Sequence, residues 1–259
     1  MKDDTLFEFA ERASHTPLQD DLQLSAKKAG PKKQSKHYHG HRERLKSRFE
    51  EAGPQALASY EMLEMLLYLS IKQGDTKPLA KALLARFGSF ADVLAAPKER
   101  LMEVEGCGPQ TARMLKLLEA SAVLYAKDQI NTKKPLSSWS AVLDYIHTAM
   151  ARNEREEFRI LFLDKKNNLV ADEVQQKGTI DHTPVYPREV AKRSLELGAC
   201  AVILVHNHPS GDPTPSRSDI QMTKKVASVL EPLSIVLHDH IIISRGGHVS
   251  FRALQLLDD

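Results

Sequence analysis

The sequence predicts two folded parts of different class, a small all-α domain followed by an α/β domain with a mixed sheet and flanking helices. Three observations carry this. Leucines recur at helical spacing through residues 41–127, short apolar runs alternate with amphipathic segments from residue 139 to 259, and the polar, aperiodic stretch 128–138 reads as the linker between them. With 259 residues and 42% hydrophobic content, each part can bury a core of its own.

Residues 1–40 join an acidic start to a basic run containing Gly30, Pro31 and Gly40. They sustain no apolar period, so a flexible, basic N-terminal arm is expected. The net charge of +2 hides a local concentration: between Lys27 and Arg48 stand nine Lys or Arg and a single acid, Glu43. In the helical part, Leu63, Leu66 and Leu67, then Leu79, Leu83 and Leu84, then Leu115, Leu118 and Val123 mark apolar faces. Gly106 and Gly108 separate two helical segments, with Pro109 at a first helical position. In the α/β part, 158–163 and 169–174 read as a hairpin turning at 164–168. Pro187 opens a helix with an apolar face of Val190, Ala191, Ser194 and Leu195, and Gly198 closes it. Five apolar residues, 201–205, form a central strand covered on both faces; a helix follows over 217–230, then strands at 233–237 and 241–243.

Cys107 and Cys200 are the only cysteines, which excludes a disulfide framework or a thiolate metal cage and fits a reducing compartment. No apolar run serves as a signal peptide or approaches the roughly 20 residues of a membrane span, so a soluble, cytoplasmic protein with no membrane partner is expected.

The chemistry concentrates just after the central strand, in His206-Asn207-His208-Pro209-Ser210-Gly211-Asp212-Pro213-Thr214-Pro215-Ser216-Arg217-Ser218-Asp219. Alternate residues of a strand share a face, so His206 and His208 can aim at one point. The Pro- and Gly-rich loop turns the chain back, and Asp219 lies one turn into the next helix. Two neutral imidazoles and a carboxylate suit one Zn2+ per chain and leave its fourth position for water, the arrangement of a catalytic site. Ser216 followed three residues later by Asp219 is equally a helix-capping pattern.

The spacing His206-x-His208-Pro209, seven residues, Ser216-x-x-Asp219 resembles the JAMM (MPN/JAB) metallopeptidase signature, and the longer His-Asn-His-Pro-Ser-Gly-Asp-Pro-x-Pro-Ser is similar to the RadC family of bacterial proteins. The resemblance extends over residues 41–259 and implies a cytidine-deaminase-like MPN/JAMM sheet. It also implies a zinc-bound water, a serine that stabilises the oxyanion and an upstream glutamate as general base. Ser216 matches the serine, with an N-cap role as the alternative. The glutamate of the pattern begins an apolar strand well before the histidines, a place that Glu157 fits. Glu173, in the next strand, is the competitor, and Glu156 is expected to point to the opposite face.

Two look-alikes fall away. In the HNH nuclease motif the three residues are dispersed rather than contiguous, and zinc deaminases need a Pro-Cys-x-x-Cys pair that two separated cysteines cannot build. His238-Asp239-His240 lacks a downstream acid and reads as hydrogen-bonded structure near the site. The glycine turn at 106–108 resembles a helix-hairpin-helix, whose free N–H groups meet DNA phosphates without sequence preference, and Lys81, Arg86, Arg113 and the arm could add counter-charge. Glu103 and Glu105 beside the turn oppose that use, and such hairpins also serve for packing or protein docking. Together these readings give a zinc-dependent hydrolase acting on a peptide or isopeptide. The alternative is a DNA-repair or recombination accessory protein with a structural metal, whose main activity is binding DNA or protein.

Overall fold

The computed structural model describes residues 40–131, 139–177 and 185–257; the arm expected over 1–40 lies outside them except Gly40, as does 132–138 of the expected linker. The helical part comprises α1 (His41–Ala52), α2 (Ser59–Leu67), α3 (Lys77–Phe87), α4 (Phe90–Ala95), α5 (Lys98–Met102) and α6 (Pro109–Asn131). Leu63, Leu67, Leu79, Leu83, Leu101 and Leu115 meet in its core, as their helical spacing requires. Part of the basic run is structural rather than free. In α1, Arg42 donates to the carbonyls of Ile71, Lys72 and Gly74, and Arg48 pairs with Glu61.

Helix α6 corrects the expected linker: 128–131 continue the helix. The polar composition there is overridden by Ile130, which is buried in the core of the α/β part. That part opens with α7 (Trp139–Met150), a helix the sequence reading did not mark. It is followed by β1 (Glu157–Leu163), β2 (Leu169–Lys177), α8 (Pro187–Glu196), β3 (Ala201–Asn207), α9 (Arg217–Leu230), β4 (Val236–Ser244) and β5 (Gly247–Ser250). The strands form one sheet of order β2-β1-β3-β4-β5. Only β3 and β4 run parallel, so the sheet is mixed as expected.

Two expectations change here. The strands expected at 233–237 and 241–243 are one strand, β4, and 231–233 is a single helical turn. His238, Asp239 and His240 interrupt the apolar pattern without breaking the strand because Asp239 accepts from Ser250 Oγ and the Arg252 N–H, which tie it to the neighbouring chain. Strand β5, short and polar, gave no apolar signal.

The sheet is covered on both faces. Leu161, Leu163, Ala201, Ile203 and Val205 face α7, and Phe158, Ile160, Phe162, Val202 and Leu204 face α8 and α9. On the α7 face a partly buried guanidinium, Arg159, bonds Asp172, Tyr145 and Glu157. Arg152–Asp92 at 3.1 Å and Arg100–Glu154 at 2.8 Å join the helical part to the loop before β1.

Leu204→Ala, in a fully buried position of β3, should cost about 2–5 kcal/mol because the surrounding sheet cannot collapse onto the void. Val170→Ala on the exposed edge strand should change stability by less than about 0.5 kcal/mol. Urea unfolding followed by fluorescence of Trp139, the single tryptophan, reads the α/β part directly. Equal shifts for the two variants would contradict this packing.

Candidate metal centre

β3 is buried along its whole length, and side-chain alternation sends His206 to the α9 face with Val202 and Leu204. The ladder with β4 continues one residue further, where the His208 N–H donates to the Ile243 carbonyl at 2.8 Å. The loop then reverses at Gly211, whose φ of 92° suits glycine. The β4–β5 turn packs against this loop so closely that a side chain at Gly246 would lie 3.0 Å from the Gly211 carbonyl oxygen. Ser216 caps α9 and places Asp219 at its third position.

The three side chains converge. His206 Nε2 lies 3.0 Å from His208 Nε2, and Asp219 carboxylate oxygens lie 3.5 Å from His206 Nε2 and 3.7 Å from His208 Nε2. Among the described residues this is the group whose ligand atoms, all within 4.8 Å of one another, could hold a metal ion. His208 Nδ1 is 2.8 Å from the Asp212 carbonyl oxygen. Ser216 donates its hydroxyl to Asp219 Oδ2 at 2.6 Å and accepts from the Asp219 N–H at 3.2 Å. The serine is therefore committed to its N-cap and to the carboxylate.

Burial pushes His206 down to about 4, only partly offset by the Asp219 charge, so its ring is neutral. Burial alone would raise the Asp219 carboxyl, but the nearby His208 and His206 rings and the Ser216 hydrogen bonds outweigh it and hold the group well below the usual carboxylate range. His208 moves up, chiefly through the nearby Asp219 carboxylate and against the effect of burial, with smaller contributions from Asp212 and Glu156. Behind His206 lies a fully buried His240 with Nε2 2.8 Å from His206 Nδ1. Burial drives His240 well below its ordinary value. Thr223, which no sequence signal singled out, bonds His240 Nδ1 at 2.6 Å and the Asp219 backbone carbonyl at 2.6 Å.

The upstream glutamate requires a correction. Glu157 is buried on the α7 face, opposite to His206, and its carboxylate accepts from Arg159 at 2.9 Å and Asn153 at 3.4 Å. The partner of His206 in the β1 ladder is Phe158, whose ring stacks on it at 6.1 Å between centroids. Glu156 stands just before β1, and its field reaches His208. Glu157 turns away from His206 because the phase of a strand's start cannot be read from its apolar core alone. Glu173 is held by Arg193 of α8 at 2.6 Å and belongs to β2, one strand farther from β3.

Asn207, between the two histidines, points to the side opposite His206 and fixes the chain entering β1. Its Oδ1 accepts from the Glu157 N–H at 2.8 Å, and its Nδ2 donates to the carbonyls of Arg155 at 3.1 Å and Asn153 at 3.3 Å. One buried amide thus holds the backbone on both sides of Glu156. In the helical part, α5 and α6 meet at a turn in which Gly106 has a φ of 86°. Arg86 is paired with Glu103 there and Lys81 lies 5.2 Å from the Tyr60 ring centre, so neither is a free cation, while Arg113 bonds Gln110.

No helix among the described residues is long and apolar enough to cross a membrane. Residues 136–256, which contain the whole sheet and the three converging groups, match the family model for the RadC-like JAB domain, and this part of the chain is similar to that domain.

Proposed function

We propose that the protein is a zinc-dependent hydrolase of the peptidase or isopeptidase type, with zinc held by His206, His208 and Asp219. One observation carries this reading: two imidazole nitrogens face each other at 3.0 Å beside a carboxylate. The Asp212 carbonyl can only accept, so His208 Nδ1 carries the ring proton and the lone pair of the neutral ring lies on Nε2. Opposed lone pairs repel, and a cation between them removes the repulsion. Two nitrogens and one oxygen, without thiolate, fit a three-ligand zinc site with an open position.

Zinc bound there supplies a Lewis acid that polarises a carbonyl and lowers the pKa of water. The chain supplies the rest. Ser216 fixes Asp219 Oδ2 by its hydroxyl and backbone N–H, which leaves Oδ1 directed at His206. Glu156, the acid before β1 whose field reaches His208, takes the proton from the attacking water and delivers it to the leaving nitrogen, the role first expected of Glu157. Ser216, once it exchanges its bond to Asp219 for one to substrate, donates to the oxyanion.

The helical part and the basic arm are proposed to add weak DNA contact, an accessory role favoured by the open surface around Gly108, where an added side chain would meet nothing within 4 Å. Labelled duplex titrated at two ionic strengths should show sequence-independent binding that falls steeply with salt and survives chelation. Binding that vanishes on chelation, or no binding at low salt, would contradict it.

The hydrolase reading is tested on the full chain with a peptide and isopeptide library, chelated protein serving as control. The purified protein should hold about one zinc, and Asp219→Ala should lose most of it. Glu156→Gln should keep zinc and lower turnover by about 10²–10⁴-fold. Glu157→Gln should act on stability through Arg159 and leave the chemical step nearly intact. Full turnover in Glu156→Gln would remove the proposed base, and turnover unaffected by chelation would remove the metal mechanism.

A further inference from the structure

The hydrogen bonds behind the site have a direction that can be read atom by atom. The Asp219 backbone carbonyl has no proton to give, so the Thr223 hydroxyl at 2.6 Å must donate to it. A hydroxyl has one proton. Its oxygen therefore accepts from the ring nitrogen on its other side, His240 Nδ1, also at 2.6 Å. His240 is fully buried between Phe251, at 4.4 Å between centroids, and Phe158, at 5.9 Å, a setting that keeps the ring neutral. With its single proton on Nδ1, its Nε2 is an acceptor, and the group it faces at 2.8 Å is His206 Nδ1. His206 must then carry its proton on Nδ1 and its lone pair on Nε2, toward His208 and Asp219.

We infer that Thr223 and His240 are positioning residues that fix the tautomer and ring plane of His206 and couple it to the backbone of Asp219. This inference rests on the zinc reading above. The relay starts at the Asp219 carbonyl on α9, passes through Thr223 one turn later on the same helix face, crosses to His240 on β4 and ends at His206 on β3. Two of the three proposed ligands, contributed by separate elements, thus share one chain of hydrogen bonds. A ligand histidine more often donates to a carboxylate or a carbonyl. Here the acceptor is a neutral imidazole, which orients His206 without adding negative charge, so Asp219 remains the only anion among the proposed ligands.

The test uses the full chain and zinc alone. Long-range proton–nitrogen NMR of the unsubstituted protein identifies the protonated nitrogen of His240, which should be Nδ1. Chelator competition then compares zinc affinity in Thr223→Val, which keeps the shape and removes the hydroxyl, with Thr223→Ser, which restores it. Affinity should fall by about 10–100-fold in the valine variant and recover in the serine variant. A proton on His240 Nε2, or equal affinity in unsubstituted protein and the valine variant, overturns the inference and leaves the zinc reading standing. Absence of zinc binding in unsubstituted protein would instead defeat the zinc reading, and the tautomer measurement would still decide the relay. If Thr223→Val does not fold, the tautomer of the unsubstituted protein decides alone.

Discussion

Side-chain alternation at the end of β3 is the constraint from which the site follows. The strand is buried on both faces, so its register cannot slip by a residue without turning His206 and Asn207 to the wrong sides. In the observed register His206 meets His208, Asp219 and His240, while Asn207 reaches back through the other face to the loop that carries Glu156. The apolar residues of β3 thus set the directions of two polar side chains with different tasks. The parallel pairing with β4 extends the strand by the His208 N–H and aligns His240 beside Leu204, behind His206.

Polar groups in so dry a place are costly unless each has a partner. On the His206 side the partners form a chain of hydrogen bonds from His206 through His240 and Thr223 to the Asp219 carbonyl. On the α7 face they form a charge cluster in which Arg159 is shared among Asp172, Glu157 and Tyr145. The two networks lie on opposite sides of β1, and Phe158 and Glu157, adjacent in sequence, belong to different ones. Glu157 has the sequence position of a catalytic acid but the surroundings of a structural one.

Much of this was legible in the sequence. The His206, His208 and Asp219 spacing, the central strand and the helix beginning at Pro187 are local patterns whose geometry follows from fixed periods, and the structure brings the three residues together. Less legible were features that depend on tertiary partners. Glu157 turns to the α7 face because only the pairing of Phe158 with His206 sets the phase of β1. Thr223 is an ordinary helix residue until β4 brings His240 against it. The continuous β4 was hidden by three polar residues that the fold satisfies individually, and α6 runs past its expected end because Ile130 finds a core to enter.

The ends of β3 and α9 are proposed to form a zinc site of two imidazoles and one carboxylate, with His240 behind it rather than in it. Zinc-edge X-ray absorption on the full chain measures that ligand set directly. A four-coordinate shell at about 2.0–2.2 Å with scattering from two imidazole rings and two oxygens is expected. A shell containing a third imidazole, or one of oxygens alone, would contradict it.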